Sequence, residues 1–433
     1  MNDIRMIREN PEEFKRRIET RGEAVDVNQL LKLDEQRRAL ITEVEAVKAE
    51  RNAGSKQVGK TKDPEERQAL IAEMSKLGDR ISELDANANA TATELNTLLL
   101  NIPNLPDPAV PLGKDEKDNV PGPVHGEIRQ FDFTPKPHWD IAEELEIIDF
   151  ERAVKIAGSR SYILRGELAR MQRALIDWMI DVHTGRHGYL EVQPPYQVST
   201  DVMTGTGQLP KFADILFKDH EEDKWLIPTA EVPVTNFYRE EILPGEVLPV
   251  YHVASTPCFR REKVSAGRDV RGIKRVFQFM KVELVKFVHP DNSAAELDKL
   301  VGEATYIADQ LELPWRLLEL CTGDLGFGAA RTYDIEIWAP GSEEWLEVSS
   351  CSNMTDYQAR RANIRYRNEN GKPTLLHTLN GSGLAIPRVM IAIMENYQQE
   401  DGMFIVPEVL RPYMGGKTMI GKQQPIGPSK HAD

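Results

Sequence analysis

The chain has 433 residues, 40% hydrophobic and 28% charged, which allows two or three domains with a sizeable core. No apolar run reaches the length of a membrane span, and Cys258, Cys321 and Cys351 are far apart with no C-x-x-C, so neither a disulfide framework nor a zinc site is indicated. A formal net charge of -15 weighs against general nucleic-acid affinity, so any contact with a polyanion must use local basic surface. The opening MNDIRMIRENPEEFKRR is polar and partly acidic, unlike a secretory signal or a transit peptide, and a cytoplasmic location is expected.

Residues 1–25 read as a short helical segment. Leu30, Leu33, Arg37, Leu40, Val44, Val47 and Arg51 then recur at alternating spacings of three and four. Leu70, Met74, Leu77, Ile81, Leu84, Ala88, Thr91, Leu95 and Leu98 follow the same rhythm. Two heptad runs separated by a Gly- and Lys-rich stretch predict an antiparallel helical hairpin. Asp63-Pro64-Glu65-Glu66 supplies the cap and first turn of the second helix, which should be about 50 Å long. Lys48, Arg51, Lys56, Lys60 and Lys62 give this hairpin a basic surface. The proline-rich stretch Asn101–Pro108 closes it. The expected organisation is a helical domain over 1–103, a linker over 104–125 and a second domain over 126–433.

Two motifs in the hairpin invite other readings. Gly54-Ser55-Lys56-Gln57-Val58-Gly59-Lys60-Thr61 fits the P-loop pattern letter for letter. A P-loop requires a buried strand before it, and the run 43–50 is a charged heptad helix instead. Met74-Ser75-Lys76 resembles the lysine loop of class I synthetases but lies inside a heptad run. Both are assigned to coiled-coil surface.

Beyond the linker, Leu168, Met171, Leu175, Met179 and Val182 mark a helix over 166–184, and 188–195 reads as a strand ending in proline. The richest segment is Thr256 to Phe287, two strands joined by a loop bearing Lys263, Arg268, Arg271, Lys274 and Arg275 with Gly267 and Gly272. Alternation places Phe277, Phe279, Lys281 and Glu283 on one face of the second strand. Arginines, a ring and a carboxylate on one face suit a nucleotide and a small zwitterion, although a solvated charged hairpin fits the pattern equally well.

That segment resembles the second signature motif of class II aminoacyl-tRNA synthetases, in the form used by seryl-tRNA synthetases. Thr229-Ala230-Glu231 resembles the family's serine-binding TAE loop. The run 379–388, continuing through 408–413, resembles its third motif, and the helix–strand–proline run at 166–195 its first, which in the family forms the dimer interface. The resemblance covers nearly the whole chain. It implies an α+β fold: a class II catalytic domain with an antiparallel β-sheet flanked by helices, plus an N-terminal antiparallel α-helical coiled-coil arm.

The implied reaction joins serine to ATP and passes the seryl group to tRNA(Ser), with tRNA(Sec) as a second candidate, in a homodimer without membrane association. By resemblance Arg260, Glu283 and Arg388 carry the chemistry. Arg260 holds the α-phosphate, Arg388 the terminal phosphate, Glu262 the adenine amino group, and Phe279 stacks on adenine. Arg261, Val276, Glu347, Val348, Ser349 and Ser350 complete the ATP contacts. Thr229, Ala230, Glu231, Glu283 and Ser382 form the serine site. Magnesium is implied as cofactor at Glu347 and Ser350. These two are three residues apart, so a regular strand would turn them to opposite faces, and a bulge or strand end is needed for both to reach one ion.

Two positions depart from the pattern. Phe277 stands where many relatives carry His, and Pro387 replaces a common glycine. Two other functions are compatible with parts of the chain. Loading of a carrier protein is disfavoured by the intact arm, and a purely scaffolding role by the retained Arg260, Glu262, Glu283, Glu347, Ser382 and Arg388.

Overall fold

The computed structural model describes residues 1–262 and 271–424. Lys263, Gly267 and Arg268 lie outside the described residues. The chain forms two compact units, Met1–Leu105 and Pro106–Asp433.

In the first unit α1 (Ile4–Glu9) and α2 (Pro11–Glu19) precede two long helices, α3 (Val27–Val58) and α4 (Pro64–Leu100), which pack as a hairpin. Asp26 caps α3 through the Gln29 amide, and Asp63 caps α4 through the amides of Glu65 and Glu66, with Pro64 at the first position. The heptad seam is as predicted at Leu30, Leu33, Val44, Ile81, Leu84, Ala88 and Leu95, all buried. Arg51 is instead exposed, and Leu99 is buried more deeply than Leu98. A second, wider cluster closes the base of the hairpin, where Ile7, Phe14 and Ile18 meet Leu30, Leu95 and Leu99. Asp34 is buried there beneath Arg8, Arg37 and Arg38, at 2.8, 2.9 and 3.0 Å. Burial alone would raise its pKa, but hydrogen bonds from the three arginines outweigh that and hold it below the ordinary value.

The first glycine of the P-loop-like run lies within α3 as a seam residue. A β-carbon at Gly54 would stand 2.4 Å from the Met74 sulfur. Both decoy motifs therefore meet each other at the end of a coiled coil, with no strand before either.

The second unit is built on an eight-stranded sheet. Its strands are β1 (Val120–His125), β2 (Leu190–Glu191), β3 (Val250–Phe259), β4 (Gln278–Val288), β5 (Trp315–Glu319), β6 (Arg331–Ala339), β7 (Glu344–Thr355) and β8 (His377–Ala385). They lie in the order β1-β5-β6-β7-β8-β4-β3-β2, antiparallel except where β2 joins β3. Helices α5 (His138–Leu145), α6 (Phe150–Ala157), α7 (Gly166–Gly185), α8 (Thr200–Thr206), α9 (Glu231–Thr235), α10 (Ser293–Gln310), α11 (Tyr357–Ala362) and α12 (Ile386–Tyr397) complete the unit. The expected strand at 188–195 is confined to β2.

Of the stretch 104–125, expected to be a linker, residues 106–125 are instead part of this unit. The Asp107 amide donates to Ala330 O at 2.7 Å, the Thr322 amide to Pro111 O at 2.9 Å, and β1 pairs with β5 at the sheet edge. Its prolines fit an edge strand, which does not need every amide in a ladder.

Strand period explains how one sheet serves two purposes. On β4, Val282 and Leu284 point to the main core with α7, α10 and α12. Val285 and Phe287 point to a second core on the opposite face. Phe279, Lys281 and Glu283, on that same opposite face, are left to line a cavity. No helix among the described residues is long and apolar enough to cross a membrane.

Candidate active site

The cavity has a volume of about 830 Å³ and is lined by residues from 206 to 388. Thr229, Glu231, Arg260, Arg261, Glu262 and Val276 line it, as do Phe279, Glu283, Glu347, Val348, Ser350, Ser382 and Arg388. Residues up to 182 positions apart in sequence, Thr206 and Arg388, thus converge on one space.

The TAE segment enters α9 so that its side chains divide. The Glu231 amide donates to Thr229 Oγ1 at 3.2 Å, and Thr229 and Glu231 face the cavity. The Ala230 methyl is buried in the second core, so its side chain is a packing group. Glu231 Oε1 accepts from Gln358 Nε2 at 2.6 Å, and Gln358 Oε1 accepts from Thr378 Oγ1 at 2.7 Å, which fixes the amide orientation. Burial, then the nearby Glu283 charge, pushes the Glu231 carboxyl up to about 7, against the Gln358 hydrogen bond and the charges of Lys281 and Arg260. Glu283 is buried, pairs with Lys281, and accepts from Asn380 Nδ2 at 3.2 Å. Ser382 is its register partner on β8. The result is a small buried end of the cavity with two carboxylates, an ammonium group, an amide and two hydroxyls.

The other end is cationic and aromatic. Arg260 leaves the tip of β3 with its amide on Phe277 O at 2.9 Å and Nε on Pro228 O at 3.2 Å. Its guanidinium lies 5.3 Å from the Phe279 ring centre. Arg261 stacks on Phe217 at 4.8 Å. Glu262 lies 3.7 Å from Arg275 Nη1. Arg388, in the first turn of α12 behind Pro387, donates to Glu347 O at 2.6 Å and lies 3.4 Å from its carboxylate.

For Glu347 and Ser350 to share one ion the sequence needed a bulge or a strand end, and a bulge is present at Val348. Ile335 on β6 faces Ser349, but the next residue, Glu336, faces Glu347, so Val348 is the extra residue on β7. Glu347 and Ser350 consequently share the cavity face. Ser349 does not: it is buried and donates to Ser382 O at 2.7 Å, locking β7 to β8. Asp334, opposite Ser350, is held well above the ordinary carboxylate range by burial and the Glu347 charge. The oxygen pair Glu347 and Ser350 fits magnesium, which keeps few protein ligands and is completed by phosphate and water. Among the described residues no group of three His, Cys, Asp or Glu forms a closed metal site.

Phe277 also departs from the expected face. β4 starts at Gln278, and the Phe277 ring packs against Phe217 at 6.4 Å and Arg160 at 5.7 Å. Before the ladder begins the pleat no longer dictates direction. Sequence reasoning gave no role to Lys281, Asn380 and Gln358. Period 2 already put Lys281 on the correct face, whereas Gln358, 127 residues from Glu231, had no local signal.

The profile of the seryl-tRNA synthetase N-terminal domain matches residues 1–106, and that of the tRNA synthetase class II core domain (G, H, P, S and T) matches residues 212–397. The serine–tRNA ligase of Thermomicrobium roseum is 60% identical over 98% of this chain and 95% of its own length. That of Herpetosiphon aurantiacus is 58% identical over 97% of this chain and 100% of its own. Among solved structures, seryl-tRNA synthetase from Pyrococcus horikoshii complexed with ATP aligns with a TM-score of 0.90 at 39% identity, covering 98% of this chain and 100% of its own. The chain belongs to the seryl-tRNA synthetase family of class II aminoacyl-tRNA synthetases.

Proposed function

We propose that this cavity carries out both half-reactions of serine–tRNA ligation. A serine carboxylate oxygen attacks the α-phosphorus of ATP, the bond to the β-phosphate oxygen breaks, and pyrophosphate leaves. A hydroxyl of the terminal tRNA adenosine then takes the acyl group and AMP departs. The nucleophile is already ionised, so no catalytic base is required, and rate comes from positioning and charge neutralisation.

In this reading the buried end binds serine. Glu231 and Glu283 receive its ammonium and hydroxyl groups, with Thr229 and Ser382 as further partners. A pocket built to hydrogen-bond a hydroxyl rejects alanine because its own polar groups would be left unpaired. At the other end Arg260 meets the α-phosphate, Phe279 stacks on adenine, Glu262 faces its amino group, and Arg261 and Val276 flank it. Arg388 binds the terminal phosphate, where the start of α12 also favours anions. Glu347 and Ser350 would hold magnesium, which supplies charge neutralisation on the phosphates. The observation that carries the reading is the bulge at Val348, which turns Glu347 and Ser350 together toward the cavity that Arg388 lines.

The helical unit is proposed as the tRNA-binding arm. Its exposed Arg51, Lys56, Lys60 and Lys62 suit phosphate contacts along an RNA helix, while Lys48 is engaged with Asp85 at 3.0 Å. A homodimer, a cytoplasmic location and service to tRNA(Sec) belong to the same proposal.

The test is serine-dependent ATP–pyrophosphate exchange, with alanine, threonine and glycine as controls and Arg388→Ala beside the wild type. Exchange with serine alone, lost in the variant, is expected. Exchange that ignores the amino acid supplied would overturn the assignment of the buried end.

A further inference from the structure

One wall of the cavity is the segment Ile273, Lys274, Arg275 and Val276, and it has little secondary structure to hold it. What holds it lies behind the site. His138, the first residue of α5, is 1% exposed, and Glu395 on α12 is 0% exposed. The His138 amide donates to Glu395 Oε1 at 2.9 Å, and the ring Nδ1 lies 3.1 Å from the same oxygen. Ser342 adds its amide at 2.8 Å and its hydroxyl at 2.7 Å. A carboxylate receiving these bonds acts as acceptor, so Nδ1 carries the ring hydrogen and Nε2 is left as an acceptor. Nε2 accepts the amide of Ile273 at 3.2 Å.

An independent observation points the same way. Gly272 has φ +72, and a β-carbon there would stand 1.9 Å from His138 Nε2. The backbone passes so close to the imidazole that only glycine fits. The neighbours of His138 hold the residue before it: Arg271 lies over Trp139 at 5.0 Å and 3.8 Å from Asp140. Beyond it, Lys274 donates to Glu344 at 2.5 Å. Neither His138 nor Glu395 lines the cavity.

We propose that His138, oriented by Glu395, is a positioning residue that fixes the Ile273–Val276 wall and thereby sets the affinity for ATP. The inference rests on the reading of this cavity as the ATP site. Its effect is expected to be specific to the nucleotide, because the hydrogen bonds of the His138 and Glu395 side chains run to the wall and to Ser342, not to Thr229, Glu231, Glu283 or Ser382.

The experiment measures pyrophosphate exchange in the full-length protein, varying ATP and serine separately, for wild type, His138→Gln and His138→Phe. Glutamine offers an amide oxygen near the position of Nε2, whereas phenylalanine fills the space without an acceptor. His138→Phe should raise the KM for ATP about tenfold, the order expected for a buried amide losing its partner, with the KM for serine unchanged. His138→Gln should recover most of the loss. Gly272→Ala, whose methyl would press on His138 Nε2 and shift the wall, should produce the same ATP-specific rise and keeps the test open if the phenylalanine variant does not fold. An unchanged KM for ATP, equal damage in the Gln and Phe variants, or a parallel rise for serine would overturn the proposal. Lack of serine-dependent exchange in the wild type would overturn the ATP-site reading itself and this inference with it.

Discussion

The two units reach stability and specificity by opposite routes. The hairpin of α3 and α4 is almost one-dimensional: each seam residue meets partners that its heptad position names, and one turn sets the register. The sheet unit is assembled from segments far apart in sequence, and its cavity is where the β4 face is not filled by the second core. The first kind of structure tolerates local error. In the second a single extra residue, Val348, decides which side chains meet the substrate.

The sharpest way to break this comparison is to remove one unit. Deleting residues 30–98 should abolish charging of tRNA while leaving ATP–pyrophosphate exchange near the wild-type rate, measured on the same preparation. Unimpaired charging would refute the arm's role. Within the sheet unit, Arg388→Ala should lower the exchange rate by roughly 10²–10³-fold, the scale of removing one preorganised charge-stabilising donor, with the denaturation midpoint unchanged.

Core truncation should separate the units by stability. Phe287→Ala, fully buried beneath α9, should cost about 3–5 kcal/mol. Leu84→Ala, in a seam two helices wide, should fall nearer the ~2 kcal/mol lower end because the helices can close on the space. Urea titration of both variants checks the contrast, and equal losses would remove it.

A subtler effect concerns pH. Glu231 is pushed up to about 7, so its charged form prevails only above that value. Serine's ammonium group needs the charged form. The KM for serine should therefore rise as pH falls below 7, approaching about tenfold per unit, and Glu231→Gln should flatten the profile. A wild-type profile that is flat between pH 5.5 and about 8 would show that Glu231 does not titrate there. The smallest expected effect is none: Lys60→Ala, in the P-loop-like run, should leave the KM for ATP unchanged.

The hairpin was largely legible because helix period, caps and seam are all written locally. The exceptions are instructive: Arg51 at a seam position is exposed, and Gly54, assigned to coiled-coil surface, is a buried packing residue against Met74. In the sheet unit, alternation correctly faced Phe279, Lys281 and Glu283 into the cavity, and the spacing of Glu347 and Ser350 correctly demanded a bulge or a strand end. Alternation failed at Phe277, one residue before the ladder, and no local pattern showed that the side chains of Ala230 and Ser349 pack or bond inward.

By itself, the sequence determined the helical arm, the family resemblance and the types of residue able to bind a nucleotide and a small zwitterion, because periodicity and motif chemistry are short-range properties. Only the tertiary structure decided that Gln358 orients Glu231, that residues 120–125 join the catalytic sheet, and that His138 stands behind the wall at Ile273. Each of these depends on residues more than a hundred positions apart, or on an edge strand finding its partner. Such contacts are set by how elements pack, and no local pattern in the chain encodes them.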